Sequence, residues 1–416
     1  QLIFVYLITK LLYKKEEITF AASIIYLSFP LVIVSVRNLT TDAYLNTFIL
    51  ASLYFLLRYR NIQKPIFLYL FYLFLGLIFV TKGPVGLIIP LTFIITTKIV
   101  NQEKIQQNLH QYLGFLLFLL ISSAWFILLI NKNEGLLSYF INHQLVDRIA
   151  VDNFNRGEPF YYYFLIVPLM GFPLILLLFE KFGNRFKSII KPKSTEFALL
   201  ISIIVFFVTL SISTSKLILY ILPIFSILSL ILAKHFYSIS EKWIRAFIGI
   251  YCVLLMMILL APVIIKLLPL HLNTNLYIAF GLILVIGTLL IIISKNKKIS
   301  NHLKLLYISA LFVFALIAES NLFFSYNELT INSVKPIAEF IKNQTQVKNK
   351  TIIVYDRLLP SLSFYLDQPI ITVHNGRFST QRETTFETNN LWKKYYINYL
   401  IKEDRDLLLK QAPKSE

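Results

Sequence analysis

Residues 65–100 carry the sequence PIFLYLFYLFLGLIFVTKGPVGLIIPLTFIITTKIV, and this stretch decides the fold class. It contains two apolar runs, at residues 65–81 and 84–100, with a short polar segment around Lys82 between them. An α-helix needs about 20 mostly apolar residues to cross a bilayer, and each run is close to that length. We therefore predict two membrane-spanning helices joined by a short loop.

The whole chain has the composition of a multi-spanning membrane protein. Hydrophobic residues make up 57% of its 416 residues, and the mean hydropathy is +0.68. A formal charge of +18 would indicate a nucleic-acid partner in a soluble protein. In a membrane protein, cations first report topology and contact with anionic lipids, so we expect no nucleic-acid partner. The single cysteine, Cys252, excludes an intramolecular disulfide and a cysteine-based metal site.

Apolar runs of spanning length recur along the chain. We predict eleven full spans, at about residues 18–36, 43–60, 65–81, 84–100, 111–130, 160–180, 196–213, 217–233, 244–265, 276–294 and 305–324. Residues 1–13 are too short to span and are expected to be the end of a further span, which implies sequence upstream of Gln1. The predicted fold class is an α-helical polytopic membrane protein.

The distribution of Lys and Arg predicts the orientation in the membrane. About half of the 40 Lys and Arg lie in alternate connections: KKEE (14–17), RYRNIQK (58–64), KIVNQEK (98–104), KFGNRFKSIIKPK (181–193), AKHFYSISEKWIR (233–245) and SKNKKISNHLK (294–304). By the positive-inside rule these connections are cytoplasmic, and the other loops face outward. The last span then ends on the outer face.

We predict two domains, a membrane domain at residues 1–325 and a small extracytoplasmic α/β domain at residues 326–416. In the second domain, SVKPIAEFIKN and LPSLSFYLD predict helices, and TIIVY and PIITV predict strands. The residues from NLWKK onward predict helix without a following strand, so this domain is also expected to be truncated at its C-terminal end.

Ionisable residues are almost absent from the predicted membrane interiors, where Glu319 is the clear exception. Ion-coupled transporters usually need buried carboxylates or histidines at mid-depth, so this pattern disfavours that class. The polar chemistry is expected in the outer loops instead.

The first of these loops, RNLTTDAYL, places Asp42 at the start of a predicted span. Two roles are compatible with that position. Thr40, Thr41 and Asp42 are all good N-cap residues, and a carboxylate is favourable near a helix N-terminus. Alternatively, Asp42 is an acid or a base that faces the outer surface.

Two lysines occupy similar places in the loops VTKGPVGL and SISTSKLILYILP. Lys82 precedes Gly83 and Pro84, where a helix is predicted to begin, and Lys216 is predicted in the first turn of another span. A cation at a helix N-terminus opposes the helix dipole, so capping does not explain either lysine. Either an anion such as a phosphate lies between them, or each lysine extends to water.

The longest predicted loop, residues 131–158, carries a polar cluster just before a triple tyrosine. His143 and Asp147 are four residues apart and could share one helix face, with Arg148 beside them. The following FYYYF (160–164) is typical of an interfacial aromatic belt. A lone histidine is either a solvated loop residue or a metal ligand, and a zinc site needs three or four ligands.

Four blocks follow one another between residues 37 and 233: RNLTTDAYL, GLIFVTKGPVGLIIPL, INHQLVDRIAVDNFNRGEPFYYYFL and STSKLILYILPIFSILSLILA. Taken together, they resemble the GT-C membrane glycosyltransferases that use polyprenyl-phosphate sugars. Within these enzymes the likeness is to the ArnT-like branch, the lipid A aminoarabinose transferases, which is related to the protein O-mannosyltransferases. The spacing of the spans and the outer α/β tail extend the likeness to nearly the whole chain.

The resemblance implies an enzyme of the outer leaflet of the bacterial cytoplasmic membrane. Such an enzyme moves a sugar from undecaprenyl (polyprenyl) phosphate to a lipid A-like, glycan or protein acceptor, with inversion at the anomeric carbon. Negative charge grows on the departing phosphate, and fixed cations would stabilise it. The active site and the C-terminal domain are then expected on the extracytoplasmic face, and the chain is expected to be a monomer.

The resemblance also assigns roles to residues of this chain. Lys82, Lys216 and Arg148 match the cations near the lipid phosphate, and Tyr220 matches a tyrosine that lines the same cavity. Asp42 matches an acidic residue of the outer loops and is the candidate catalytic residue.

A zinc ion is a further implication of the resemblance, because His143 matches a histidine that helps to hold zinc. In this block Asn142 stands where the family more often has glutamate before that histidine. The family's first outer loop carries the catalytic base and the other zinc ligand from the protein, and that loop is expected upstream of Gln1.

A flippase for lipid-linked sugars, or a polysaccharide exporter, is the alternative, since such proteins also need outer cations. Transporters commonly show repeated halves and broken mid-membrane helices, and the sequence shows neither pattern. A third possibility is that the spans only anchor the C-terminal domain, but eleven spans exceed what an anchor needs.

Overall fold

The structure is a computed structural model that carries side chains. It describes residues 1–37, 40–101, 108–133, 135–142, 157–180, 194–269, 272–330, 333–344, 351–377, 386–387 and 389–411.

Helices dominate the described part of the chain. They are α1 (Leu2–Tyr13), α2 (Glu16–Leu27), α3 (Pro30–Arg37), α4 (Thr41–Ile62), α5 (Pro65–Lys82), α6 (Ile88–Asn101), α7 (Leu109–Lys132), α8 (Leu136–Tyr139), α9 (Tyr162–Gly171), α10 (Thr195–Ile212), α11 (Leu222–Phe236), α12 (Glu241–Leu267), α13 (Leu276–Lys295), α14 (Asn301–Tyr326), α15 (Lys335–Asn343), α16 (Pro360–Leu366) and α17 (Lys402–Gln411). Within the described residues, seven helical stretches are long and apolar enough to cross a membrane, or eight if α2 and α3 form one bent span. The chain is thus a membrane-embedded helical protein, and the count of eleven spans stays a prediction.

The predicted span at residues 18–36 is not straight. It is divided between α2 and α3, which are bent by 68° at the break between them. Pro30 is the first residue of α3 and lacks the amide N–H that would continue the hydrogen-bond ladder of α2.

The predicted span at residues 160–180 is also interrupted. Its α-helical part, α9, ends at Gly171, and after Pro173 the chain continues as a short 3₁₀ helix, Leu174–Leu178. Pro173 accounts for the change, since its ring cannot donate a backbone hydrogen bond to the preceding turn.

The chain divides into two compact units, of which the first comprises Gln1–Ala261 and Tyr277–Glu319. In this unit α4 packs against α5, α5 against α7, and α2 against α11. Every residue of α11 is buried except Lys234 and His235. A helix that is apolar all round belongs in the interior, so α11 is the central helix of this unit.

The second unit comprises Pro262–Leu276 and Ser320–Glu416. It contains a parallel sheet whose strands, β1 (Ile353–Tyr355), β2 (Ile371–His374) and β3 (Tyr396–Asn398), lie in sequence order. The register pairs Val354 with Thr372 and Val373 with Ile397. The predicted α/β character of this region is confirmed, whereas the proposed boundary at residues 325 and 326 falls inside α14 and stays a prediction.

The third strand corrects the expectation of helix from NLWKK onward. Leu391–Lys394 form a 3₁₀ turn, β3 follows, and only then does α17 begin. Thr372 N–H donates to the Tyr395 carbonyl (2.7 Å), and Tyr399 N–H donates to the His374 carbonyl (2.8 Å). Pairing with the edge of β2 thus decides the conformation of this segment over its local helical pattern.

Candidate functional site

Asp42 lies in the first turn of α4, which begins at Thr41. The N-cap position belongs to Thr40, one of the three predicted candidates, although its side chain makes no capping hydrogen bond, and Asp42 lies where a carboxylate near the N-terminus is favourable. The Asp42 side chain is almost fully buried and forms an ion pair with Lys82, with 2.9 Å between Oδ1 and Nζ. A charge this deeply buried needs an opposite charge nearby, and Lys82 supplies it.

Lys82 is the last residue of α5 and also the N-cap of the 3₁₀ helix Gly83–Leu87, so a helix begins directly after it, as predicted. The dipole of the longer helix α5 favours this cation, and this offsets the unfavourable dipole expected from the helix that follows. Its Nζ lies 4.3 Å from the centre of the Tyr220 ring, within the range of a cation–π interaction. The structure thus brings together three predicted site residues, Asp42, Lys82 and Tyr220.

Two glycines shape the turn that follows Lys82. Gly83 has a φ of +65°, a backbone conformation that residues with a Cβ rarely adopt. The 3₁₀ helix Gly83–Leu87 then leads into α6. A Cβ on Gly86 would lie 2.7 Å from Ile78 Cγ2 and 2.9 Å from Leu45 Cδ1, so only glycine lets this turn pack closely on α4 and α5.

Lys216 lies before the 3₁₀ helix Ile218–Ile221, which precedes α11, so it is not in the first turn of a span as predicted. Its ammonium is buried among backbone carbonyls. Lys216 Nζ donates to the Glu158 carbonyl at 2.8 Å and to the Ser213 carbonyl. Burial lowers the pKa of Lys216, and the charge of Glu158 partly opposes that effect.

The segment that carries Lys216 is joined to the end of the 131–158 loop. Gly157 and Ser215 form an antiparallel bridge, and Glu158 N–H donates to the Thr214 carbonyl at 3.3 Å. Two residues after Ser215, Leu217 is extended and is hydrogen-bonded through both of its backbone groups to the Tyr163 hydroxyl. The third sequence block therefore meets the fourth at Lys216.

His143, Asp147 and Arg148 lie outside the described residues. Among the residues that are described, no group of three or more His, Cys, Asp and Glu side chains could hold a metal ion. The zinc expectation therefore rests on the sequence resemblance.

Sequence reasoning missed two contributors to this region, the Tyr163 hydroxyl and the Glu158 backbone. FYYYF predicted an aromatic belt, and nothing in its pattern distinguishes one tyrosine from the next. A hydroxyl that binds the backbone of a distant segment leaves no local signal. The Glu158 carbonyl leaves none either, because every residue carries one.

The arrangement presents two lysines with different surroundings. The Lys82 side chain keeps 18% of its exposure and can be reached by a ligand, although Asp42 already neutralises part of its charge. Lys216 uses two of its three N–H donors on carbonyls, which leaves one for a ligand. Ammonium groups of this kind bind phosphate as point charges.

Comparison with known proteins gives one family match and several relatives. Residues 1–127 match the dolichyl-phosphate-mannose-protein mannosyltransferase family. An undecaprenyl phosphate-alpha-4-amino-4-deoxy-L-arabinose arabinosyl transferase of Proteus mirabilis is 27% identical over 61% of this chain and 48% of its own length. A transferase of the same description from Wigglesworthia glossinidia brevipalpis is 29% identical over 57% of this chain and 43% of its own length. The chain spans about half the length of these relatives.

The fold is shared with solved structures of ArnT from Cupriavidus metallidurans. The structure bound to undecaprenyl phosphate matches 98% of this chain and 78% of its own chain with a TM-score of 0.70 and 20% identity. The apo structure matches with a TM-score of 0.67 and 19% identity. The resemblance found in the four sequence blocks is thus confirmed as a likeness: the chain shares the GT-C fold of ArnT and is similar in sequence to the arabinosyl transferases.

Proposed function

We propose that the chain is the membrane part of a glycosyltransferase that moves a sugar from undecaprenyl or another polyprenyl phosphate to a lipid A-like or other extracytoplasmic acceptor. The observation that carries this proposal is the position of Lys82, which pairs with Asp42 at 2.9 Å and lies 4.3 Å from the Tyr220 ring. Residues from three of the four sequence blocks thereby meet at Lys82.

The proposed reaction is an inverting displacement at the anomeric carbon. An acceptor hydroxyl oxygen forms a bond to that carbon while the bond from the carbon to the phosphate oxygen breaks. The bonding pair leaves with polyprenyl phosphate, and the hydroxyl proton passes to a base. Charge builds on the leaving phosphate, where fixed ammonium groups lower the barrier most.

Lys82 and Lys216 are the proposed ligands of that phosphate, with Arg148 as a third cation and Tyr220 in the wall of the cavity. Asp42 remains the candidate acidic residue of this site. Its ion pair with Lys82 supports a role in holding that ammonium until the phosphate arrives.

The test is sugar transfer by the full-length protein in detergent, with polyprenyl-phosphate sugar as the donor. We expect Lys82→Met and Lys216→Met each to lower transfer by at least about 100-fold, the effect of losing one charged contact to the leaving group. Lys298→Met, an exposed lysine far along the chain, is the matched control.

Full transfer in both variants would overturn the phosphate site. A flippase gives a different result, because it moves the lipid across vesicle membranes and leaves the bond between sugar and phosphate intact in detergent. Movement without bond cleavage would therefore replace the proposed enzyme by the transport alternative.

The proposed location is the bacterial cytoplasmic membrane, with the site on its extracytoplasmic face. The clustering of Lys and Arg in alternate connections supports this orientation. A Cys252→Ser background allows single cysteines to be introduced at Lys297 and at Glu328. An impermeant thiol reagent added to intact cells should label the cysteine at position 328 and not that at 297, and the reverse pattern would invert the topology.

A zinc ion held partly by His143 is proposed from the resemblance alone, and no step of the reaction is assigned to it. Metal analysis of the purified full-length protein should find about one zinc per chain, and His143→Ala should reduce it. Equal zinc in both proteins would remove His143 from the site. We further propose that the protein acts as a monomer, which light scattering of the detergent complex tests.

A further inference from the structure

Tyr163 is the third tyrosine of FYYYF and differs from its two neighbours. Its side chain is fully buried, whereas Tyr161 is exposed and Tyr162 is half-buried. The Tyr163 hydroxyl donates to the Leu217 carbonyl at 3.0 Å and accepts from Leu217 N–H at 3.3 Å. This one hydroxyl therefore satisfies both backbone groups of the residue that directly follows Lys216.

The geometry of an extended segment explains why this contact is possible. Leu217 has φ −135° and ψ 146°, and in such a residue the N–H and the C=O point to the same side of the chain. The Tyr163 hydroxyl binds Leu217 from that side, and Glu158 N–H binds the Thr214 carbonyl, two residues before Lys216.

Lys216 lies between these two anchored residues. Because the chain is hydrogen-bonded at Thr214 before Lys216 and at Leu217 after it, the direction of the Lys216 Cα–Cβ bond is fixed. The same arrangement brings the Glu158 carbonyl to 2.8 Å from Lys216 Nζ. The Lys216 side chain is thus held at both ends: hydrogen bonds of the neighbouring residues fix its backbone, and the Glu158 carbonyl binds its ammonium.

We propose that Tyr163 is a positioning residue for Lys216: its hydroxyl holds residues 215–217 so that the Lys216 ammonium meets the phosphate of a polyprenyl-phosphate ligand. This inference rests on the proposed function, in which Lys216 binds that phosphate. The other two tyrosines keep the role of an interfacial belt.

The test measures binding of undecaprenyl phosphate to the full-length protein in detergent. Tyr163→Phe removes the hydroxyl and keeps the ring, and we expect it to weaken binding roughly tenfold, the effect of losing a buried hydrogen-bonding group. Tyr162→Phe is the matched control, since no hydrogen bond of that hydroxyl is found among the described residues, and it should stay within about twofold of the wild type.

A double variant separates positioning from general stability. In a Lys216→Met background, Tyr163→Phe should have no further effect, because the group that it positions is gone. An unchanged affinity in Tyr163→Phe overturns the inference, and so does an equal loss in both backgrounds. If Lys216→Met itself binds like the wild type, the proposed phosphate site fails instead, so the two failures are distinguishable.

A second measurement distinguishes a loss of positioning from partial unfolding of Tyr163→Phe. The midpoint of a binding profile against pH does not depend on how much of the protein is folded. A less firmly held Lys216 gains contact with water, so the alkaline midpoint should move to higher pH in Tyr163→Phe and not in Tyr162→Phe. Coincident midpoints in all three proteins contradict the positioning role.

Discussion

Asp42 and Lys82 form an ion pair that joins the first turn of α4 to the last residue of α5, with 2.9 Å between Oδ1 and Nζ. Each charge lies at the helix end where the dipole favours it, a carboxylate near an N-terminus and an ammonium at a C-terminus. The Asp42 side chain is 5% exposed and the Lys82 side chain 18% exposed, so a ligand reaches the lysine more easily. A phosphate that binds Lys82 must therefore compete with Asp42.

Replacement of Asp42 tests whether its carboxylate competes with the phosphate for Lys82. Asp42→Asn should tighten binding of undecaprenyl phosphate by about fivefold, since removal of a carboxylate beside the cation is worth about 1 kcal/mol. Lys82→Met should weaken the same binding by roughly 10- to 100-fold. Titration of the lipid into each purified variant measures both effects. Weaker binding in Asp42→Asn would show that the carboxylate does not compete with the ligand.

Lys216 predicts a pH dependence of ligand binding. Its pKa is lowered by burial, with the charge of Glu158 acting in the opposite direction. The charged form exists below that pKa, so binding of undecaprenyl phosphate should fall as the pH rises through it, earlier than for an exposed lysine. In Lys216→Arg the fall should disappear, because a guanidinium stays protonated. Lys298→Arg is the control, and a profile as flat in the wild type as in Lys216→Arg would exclude Lys216 as the titrating group.

The turn after Lys82 should tolerate no larger residue at Gly86. Gly86→Ala places a Cβ 2.7 Å from Ile78 Cγ2, and such overpacking typically costs about 1–3 kcal/mol. Gly83→Ala should cost about 1 kcal/mol through its positive φ. Gly249→Ala in α12, where a Cβ would meet no atom within 4 Å, is the matched control. Thermal unfolding followed by tryptophan fluorescence ranks the variants, and a Gly86→Ala midpoint equal to that of Gly249→Ala would refute the packing argument.

A buried polar contact joins α4 to the central helix α11, and we expect it to contribute to the stability of the folded protein. Asn46 is fully buried, its Oδ1 accepts from Ser226 Oγ at 2.9 Å, and its Nδ2 donates to the Tyr26 hydroxyl at 3.1 Å. Asn46→Ala should lower the unfolding free energy by about 2 kcal/mol, because it leaves buried partners unsatisfied.

A double-mutant cycle tests that contact directly. Asn46→Ala and Ser226→Ala should combine with a coupling of about 1 kcal/mol. Ser229→Ala offers a comparison, since this serine bonds within its own helix, to the Ser226 carbonyl. Additive effects in the first pair would mean that the two side chains do not interact in the folded protein.

Local sequence patterns determined the class of the fold and the types of residue at the candidate site. Apolar runs of about 20 residues predict membrane helices, because a polar backbone in lipid must bond within its own helix. The same patterns predicted α15, β1, α16 and β2 in the second unit. Residue chemistry and the four blocks singled out Asp42, Lys82, Lys216 and Tyr220 before any contact was known.

The tertiary structure alone decided which of these residues meet. The apolar pattern of a membrane helix is nearly uniform around its axis, so it does not specify the neighbouring helix or the side chain that faces a given partner. Lys82 therefore ends one helix as well as preceding the next, and Asp42 is its ion-pair partner. Hydrogen bonds to the Leu217 backbone distinguish Tyr163 from its two neighbours. Pairing with the edge of β2 makes Tyr396–Asn398 a strand instead of a helix. In each case the deciding contact joins segments that are far apart in the chain, and such contacts depend on the assembled fold.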